Sequence, residues 1–140
     1  MIILDTNVLS ELMTPAPAPK VVNWVVNQRS LETVFISTIT VAEILYGVEL
    51  LPAGKRRDKL ESEAHAMFSE DFAGRILSFD EESARAFSRI ASRQQKRRTP
   101  MADFDAQIAA IAQVHGAALA TRNTTDFEGC GVRLINPWVD

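Results

Sequence analysis

Ile2, Ile3 and Leu4 run without polar alternation straight into a carboxylate, Asp5. Such a run suits a strand buried on both faces of a parallel sheet, and no other stretch restricts the fold as strongly. In sheets of that kind, ligands gather beyond the carboxyl ends of the strands, which is where Asp5 falls. A helical segment is expected next, from about Leu9 to Met13. Pro15, Pro17 and Pro19 then alternate with alanine, which ends a helix and favours an extended loop.

The rest of the chain repeats the alternation. Val21, Val22, Trp24 and Val25 have helical spacing, with Asn27-Gln28-Arg29-Ser30 closing the helix. Thr33 to Ser37 is β-branched and aromatic and reads as a second strand. Ser37 and Thr38 supply capping hydroxyls for a helix that carries Glu43 and reaches Gly47. After Pro52-Ala53-Gly54, a helix is expected from about Lys55 to Phe72, with Leu60, Ala64, Met67 and Phe68 on one face. Arg75 to Phe79 is a short strand, and Asp80 caps a helix striped by Ala84, Phe87, Ile90 and Ala91. Pro100 opens the last long helix and Gly116 stops it. Strands are expected at Ala117–Thr121 and Val132–Ile135. This pattern predicts a single α/β domain over residues 1–140, around a mainly parallel sheet of four or five strands.

Composition narrows the function. The lone Cys130 excludes an internal disulfide and any Cys-rich zinc site. No apolar run approaches the ~20 residues of a membrane span, and the N-terminus lacks the basic leader of a signal peptide. A cytoplasmic protein is expected. The net charge of −3 is not that of a chain built to coat a polyanion. Two basic clusters stand out, Lys55-Arg56-Arg57 and Arg93 with Lys96-Arg97-Arg98; solvated helix surface is the plain reading of each.

Three acids fall at comparable places. Asp5 ends the first strand, Glu43 lies early in the helix after the second, and Asp126 lies in the loop beyond the strand ending at Thr121. In a parallel sheet these converge on one edge. A fourth would come from the helix opening near Pro100, where Asp103 and Asp105 compete. Two residues apart on a helix is about 200° of rotation: Asp105 aligns with the apolar Ile108, Ala109 and Ala112, and Asp103 with Gln107, Ala110 and Val114. An acid on the buried side of a helix end is costly unless a cation meets it, so Asp105 is the candidate functional acid and Asp103 a capping or surface residue. Singly, each of these acids has an ordinary role as a helix cap or turn residue; together they are a candidate metal site. Hard oxygen donors without nearby His or Cys suit Mg²⁺ or Mn²⁺ rather than zinc, and such ions serve phosphoryl chemistry.

Asp5-Thr6-Asn7-Val8 after an apolar strand, Thr40-Val-Ala-Glu43-Ile-Leu-Tyr-Gly47, Asp105-Ala-Gln-Ile-Ala-Ala-Ile-Ala112 and Thr121-Arg-Asn-Thr-Thr-Asp126-Phe127 together resemble the PIN domain. The likeness is closest to the toxin ribonucleases of VapBC and FitAB pairs and runs on to Ile135-Asn-Pro-Trp138. The resemblance implies an α/β/α sandwich and a Mg²⁺- or Mn²⁺-dependent endoribonuclease. It gives Asp5, Glu43 and Asp105 metal-binding roles, and Asp126 the fourth and more distant one. It makes Thr121 and Asn123 residues that position water, Asp5 or the scissile phosphate, with Asn7, Thr6 and Ser37 as weaker candidates.

The resemblance also implies an antitoxin partner whose arginine enters the acid site, DNA binding only through that antitoxin, an RNA substrate and a homodimer. Trp24, Trp138 and Tyr46 are candidates for an interface or for ordinary core. Two other readings compete: a phosphatase with an aspartate nucleophile, for which Asn7 stands where a second acid is usual, and a non-catalytic module that captures a basic partner. Cys130, His65 and His115 are expected to have no catalytic part.

Overall fold

The computed structural model describes residues 1–28 and 33–140. The helix-closing role expected of Arg29 and Ser30 lies outside the described residues. Five strands, β1 (Ile2–Leu4), β2 (Val34–Ser37), β3 (Ile76–Leu77), β4 (Ala118–Ala120) and β5 (Leu134–Ile135), form one sheet in the order β3-β2-β1-β4-β5. All four pairings are parallel. The order runs outward from β1 in one direction and then in the other. The junction of β1 and β4 is therefore the point where the strand order reverses, and a crevice opens there beyond the strand ends.

Helices cover both faces: α1 (Thr6–Leu12), α2 (Pro19–Asn27), α3 (Thr38–Glu49), α4 (Lys55–Ala66), α5 (Glu81–Lys96) and α6 (Asp103–Val114). The period-2 alternation of the central strands sorts the core into two halves. Ile3 and Leu119 point to the side of α5 and α6, with Ile90, Ile108, Ile111 and Phe127. Leu4, Val34, Ile36 and Ala120 point to the other side, with Val8, Leu9, Val21 and Ile44. Ile3 and Leu4 are adjacent and both fully buried, as a strand covered on both faces requires. At roughly 1.5–3 kcal/mol for each large apolar side chain taken from water, these two halves hold the three layers together. The α/β/α sandwich is as expected, with five strands.

Several boundaries differ from those expected. The first helix begins at Thr6 rather than near Leu9, because Asp5 acts as its N-cap and accepts from the Thr6 amide at 2.8 Å. The α4 helix continues through a π-turn at Met67–Asp71. Asp80 caps α5 as expected, accepting from the Ser83 amide at 2.8 Å. The buried stripe of α5, however, is Ser83, Ala86, Ile90 and Gln94, and Ala84 is exposed. Helix α6 is buried on all sides over Ile108–Ala112: Ala110, expected on the open side with Asp103, is fully buried, and the exposed Gln113 lies near the helix end. Asp103 is exposed because it sits at the helix end.

Candidate active site

One residue past the β1–β4 register, the ladder continues as the Asp5 amide donates to the Ala120 carbonyl at 2.8 Å. Asp5 and Thr121 thus stand side by side where the chain order reverses. The Thr121 hydroxyl donates to Asp5 Oδ2 at 2.7 Å. The Asn7 amide nitrogen donates to the same oxygen and to Thr121 Oγ1, each at 3.2 Å, and Thr121 Oγ1 also accepts from the Asn123 amide at 3.1 Å. Asn7 Oδ1 accepts from the Arg122 amide at 3.1 Å. Asp5 is only 5% exposed and Thr121 not at all. With three of its roughly four acceptor positions engaged, Asp5 is held rigid, one lone pair remaining for the cleft.

Glu43 is positioned from the other side by hydroxyls. Thr6 Oγ1 donates to Glu43 Oε1 at 2.8 Å and lies 2.9 Å from Thr40 Oγ1. Thr6 has one proton and gives it to Glu43, so Thr40 must be the donor to Thr6. Ser37 Oγ caps α3 by accepting from the Thr40 amide at 3.2 Å and reaches Thr40 Oγ1 at 3.5 Å. Ser37 therefore supports the site through Thr40 and is fully buried.

Asp5, Glu43 and Asp105 line one cleft of about 430 Å³ together with Thr6, Asn7 and Asn123. Asp105 enters it from the first turn of α6, and the exposed Asp103 does not. Asp126 is exposed on the 3-10 turn Thr124–Phe127, at the rim rather than among the lining residues. Its charge still reaches Asp5 and Asp105.

Glu11 also lines the cleft and accepts from the Ala18 amide at 2.9 Å. Burial is the main reason that Asp5, Glu43 and Asp105 bind protons more tightly than usual. Asp5 is pushed up by desolvation and then by Asp126, against the pull of Thr121 and Thr6. Glu43 is pushed up by desolvation and by Asp5, against the Thr6 hydrogen bond. Asp105 is pushed up to about 6 by desolvation, then by Asp5, Asp126 and Glu43. No ion pair among the described residues involves any of the four acids. Crowded carboxylates without a cation are what a bound hard cation would relieve. The donors are all oxygen, and no His or Cys lines the cleft. Among the described residues, no three His, Cys, Asp or Glu side chains already stand close enough to hold one ion between them. The donor chemistry fits Mg²⁺ or Mn²⁺; a bound ion would have to draw the acids together.

Sequence reasoning missed three features of this cleft. Thr40 is one: its spacing from Glu43 is the i,i+3 of helix neighbours, a signal that was available. Arg122 and Trp138 are the others. Both line the cleft, and the Arg122 guanidinium lies over the Trp138 ring at 5.0 Å. No local pattern joins these two positions. Cys130 is buried, His65 and His115 are exposed, and none of them lines the cleft. Tyr46 is 66% exposed, while Trp24 packs at the edge of the core. No helix among the described residues is long and apolar enough to cross a membrane.

Residues 2–129 match the family described as PIN domain. The chain is 42% identical over 140 residues to Toxin FitB of Neisseria gonorrhoeae, covering all of both chains. It is 38% identical over 138 residues to VapC ribonuclease Y4jK of Sinorhizobium fredii, covering 99% of this chain and 98% of the relative. A solved structure of FitAB bound to the IR36 DNA fragment superposes with a TM-score of 0.91 at 42% identity, over 99% of this chain and 96% of that one.

Proposed function

This chain belongs to the PIN-domain family, in the group of the VapC and FitB toxins, and from that premise we propose that it is the toxin of a toxin–antitoxin pair and a Mg²⁺- or Mn²⁺-dependent endoribonuclease. The observation that carries the reading is the meeting of Asp5, Glu43 and Asp105 in one cleft, each with its carboxyl pushed upward. The name ribonuclease borne by a relative that matches almost end to end supports the reaction.

Asp5, Glu43 and Asp105 would hold the ion, with Asp126 contributing from the rim. Such an ion supplies charge stabilisation at a phosphoryl oxygen and a more acidic water. The chain's own residues do the rest. Thr121 and Asn7 fix the plane of the Asp5 carboxylate, and Thr6 fixes Glu43. Asn123 lines the cleft and would orient water or the scissile phosphate.

An antitoxin is the natural inhibitor of such a site, because an arginine fork can bridge carboxylates that otherwise crowd one another. The FitAB complex on DNA supports that partner and supports DNA binding through it. A homodimer is part of the same reading.

The test is cleavage of total RNA by the purified toxin with Mg²⁺ or Mn²⁺ and with a chelator. Cleavage should require the ion, and Asp5→Asn should fold normally while losing at least about 100-fold in rate, some 2.7 kcal/mol of barrier. Cleavage that persists in chelator, or in the folded Asp5→Asn protein, would sink the proposal.

A further inference from the structure

The carboxyl-terminal half of α5 carries Arg89, Arg93 and Lys96, with Arg97 at its C-cap and Arg98 just beyond, and all five are exposed. Among the described residues no carboxylate lies within ion-pairing distance of any of them. In the other basic cluster Arg57 pairs with Glu49 at 2.7 Å, while Lys55 and Arg56 make no ion pair among the described residues. Arg89, Arg93 and Arg97 stand at i,i+4 spacing, so like charges repel along one helix face. The helix dipole favours cations in the last turn only and leaves Arg89 unexplained. Arg98 adds to the puzzle. It adopts φ 60, the left-handed region where helix ends favour glycine, so positive charge is kept at a backbone cost. Arg89, Ser92, Arg93, Lys96 and Arg97 line a shallow hollow of about 430 Å³.

This surface runs from Arg89, beside Gln113 and Val114 at the carboxyl end of α6, toward the acid end of the molecule at Arg97. Helices α5 and α6 run antiparallel, since Asp80 before α5 feels the charge of His115 after α6. The α5 carboxyl end therefore lies beside the α6 amino end that carries Asp105. The buried Gln94 donates to the Glu128 carbonyl at 2.8 Å, two residues from Asp126. A methyl group added at Gly129 would come within 3.3 Å of Arg97 Nη1.

We propose that this exposed α5 face binds the sugar–phosphate backbone of the RNA whose scissile bond enters the cleft. The proposal rests on the ribonuclease reading above. Guanidinium forks match phosphate oxygens two at a time, and Arg89 to Arg97 spans about 12 Å of helix, room for more than one phosphate. A chain of net charge −3 thus attracts RNA locally, beside acids that repel it.

The test is binding of a 20-nucleotide unstructured RNA, followed by fluorescence anisotropy in chelator so that nothing is cut. The protein carrying Arg89→Gln, Arg93→Gln and Lys96→Gln is compared with the parent. Glutamine keeps helix propensity, and relief of repulsion should hold the thermal midpoint at or above the parent's. Affinity should fall at least tenfold, and the slope of log affinity against log salt should become shallower by about 0.7 for each phosphate no longer neutralised. Unchanged affinity and slope would overturn the proposal. So would an equal loss in a control carrying Lys55→Gln, Arg56→Gln and Lys59→Gln, or a loss seen on duplex DNA and not on RNA. Cleavage of RNA by the parent with Mn²⁺ judges the ribonuclease reading separately, since the binding measurement needs no turnover.

Discussion

Thr121 Oγ1 donates to Asp5 Oδ2 at 2.7 Å across 116 residues of chain, joining the ends of two neighbouring parallel strands. One proton on Thr121 thereby fixes the carboxylate around which the cleft is built, and two incoming donors, from Asn7 and Asn123, fix Thr121.

Thr121→Val should therefore act on Asp5 rather than on the fold at large. The half-buried Asn7 amide loses one of its acceptors, at a cost of about 1 kcal/mol, while the exposed Asn123 amide can turn to water. The Asp5 carboxyl, already raised by burial, should rise further once its strongest hydrogen bond is gone. Cleavage should fall roughly 10–100-fold, as for other groups that orient metal ligands, with the acid limb of the pH–rate profile moved to higher pH. A variant whose profile overlays the parent's would show that Thr121 does not tune Asp5.

Asp105→Asn should separate activity from stability. The folded carboxyl binds its proton up to about 6, against an ordinary value of 3.8. Between these values the native state holds more protons than the unfolded chain, so stability falls as pH rises through this window and stays lower above it. Removing the charge should return that loss. At about 1.4 kcal/mol per unit, discounted for the solvent that reaches this side chain, the gain at pH 7 is on the order of 1 kcal/mol. The gain should fade as pH falls below the unfolded value of 3.8, where both states of the parent become protonated. Thermal melts of the two proteins at about pH 3 and pH 7 without divalent ion measure it, and a gain equal at both pH values would contradict the assignment. Cleavage should be lost.

Thr6→Val tests the hydroxyl relay on the other side. It removes the donor to Glu43 and leaves Thr40 Oγ1 without its acceptor on α1. Glu43 should lose orientation and bind its proton more tightly, lowering cleavage by about 10-fold or more, while Thr6→Ser retains most of it. Metal affinity, followed by the Mn²⁺ dependence of the thermal midpoint, should weaken in the valine variant alone. Equal Mn²⁺ dependence in valine, serine and parent proteins would remove Thr6 from the site.

Much of the architecture was legible along the chain. Ile2-Ile3-Leu4 before Asp5 specified a strand covered on both faces, because only such a strand lacks polar alternation, and Gly116 marked the α6 end where the backbone takes φ 62. Glu43 and Asp105 were legible as members of a set, since parallel strands align their carboxyl ends. The α6 helix was less so: its alanines look two-sided in a helical projection, and only the packing of α5 on one side and the sheet on the other buries Ala110. The direction that separates Asp105 from Asp103 was legible, and of the two Asp105 alone lines the cleft.

The sequence alone determined which residue types were available: short apolar strands, helices with their caps, and acids at strand and helix ends without His or Cys beside them. These follow from local sterics and from hydrophobic period, which act over a few residues. The tertiary structure decided who meets whom. Strand order β3-β2-β1-β4-β5 put β4 against β1 and with it Thr121 against Asp5, β2 against β1 and with it Glu43 against Thr6, and β5 against β4 and with it Trp138 against Arg122. Hydrogen bonds and carboxylate repulsion act over a few ångströms of space whatever the separation along the chain, so those partnerships exist only once the sheet has closed.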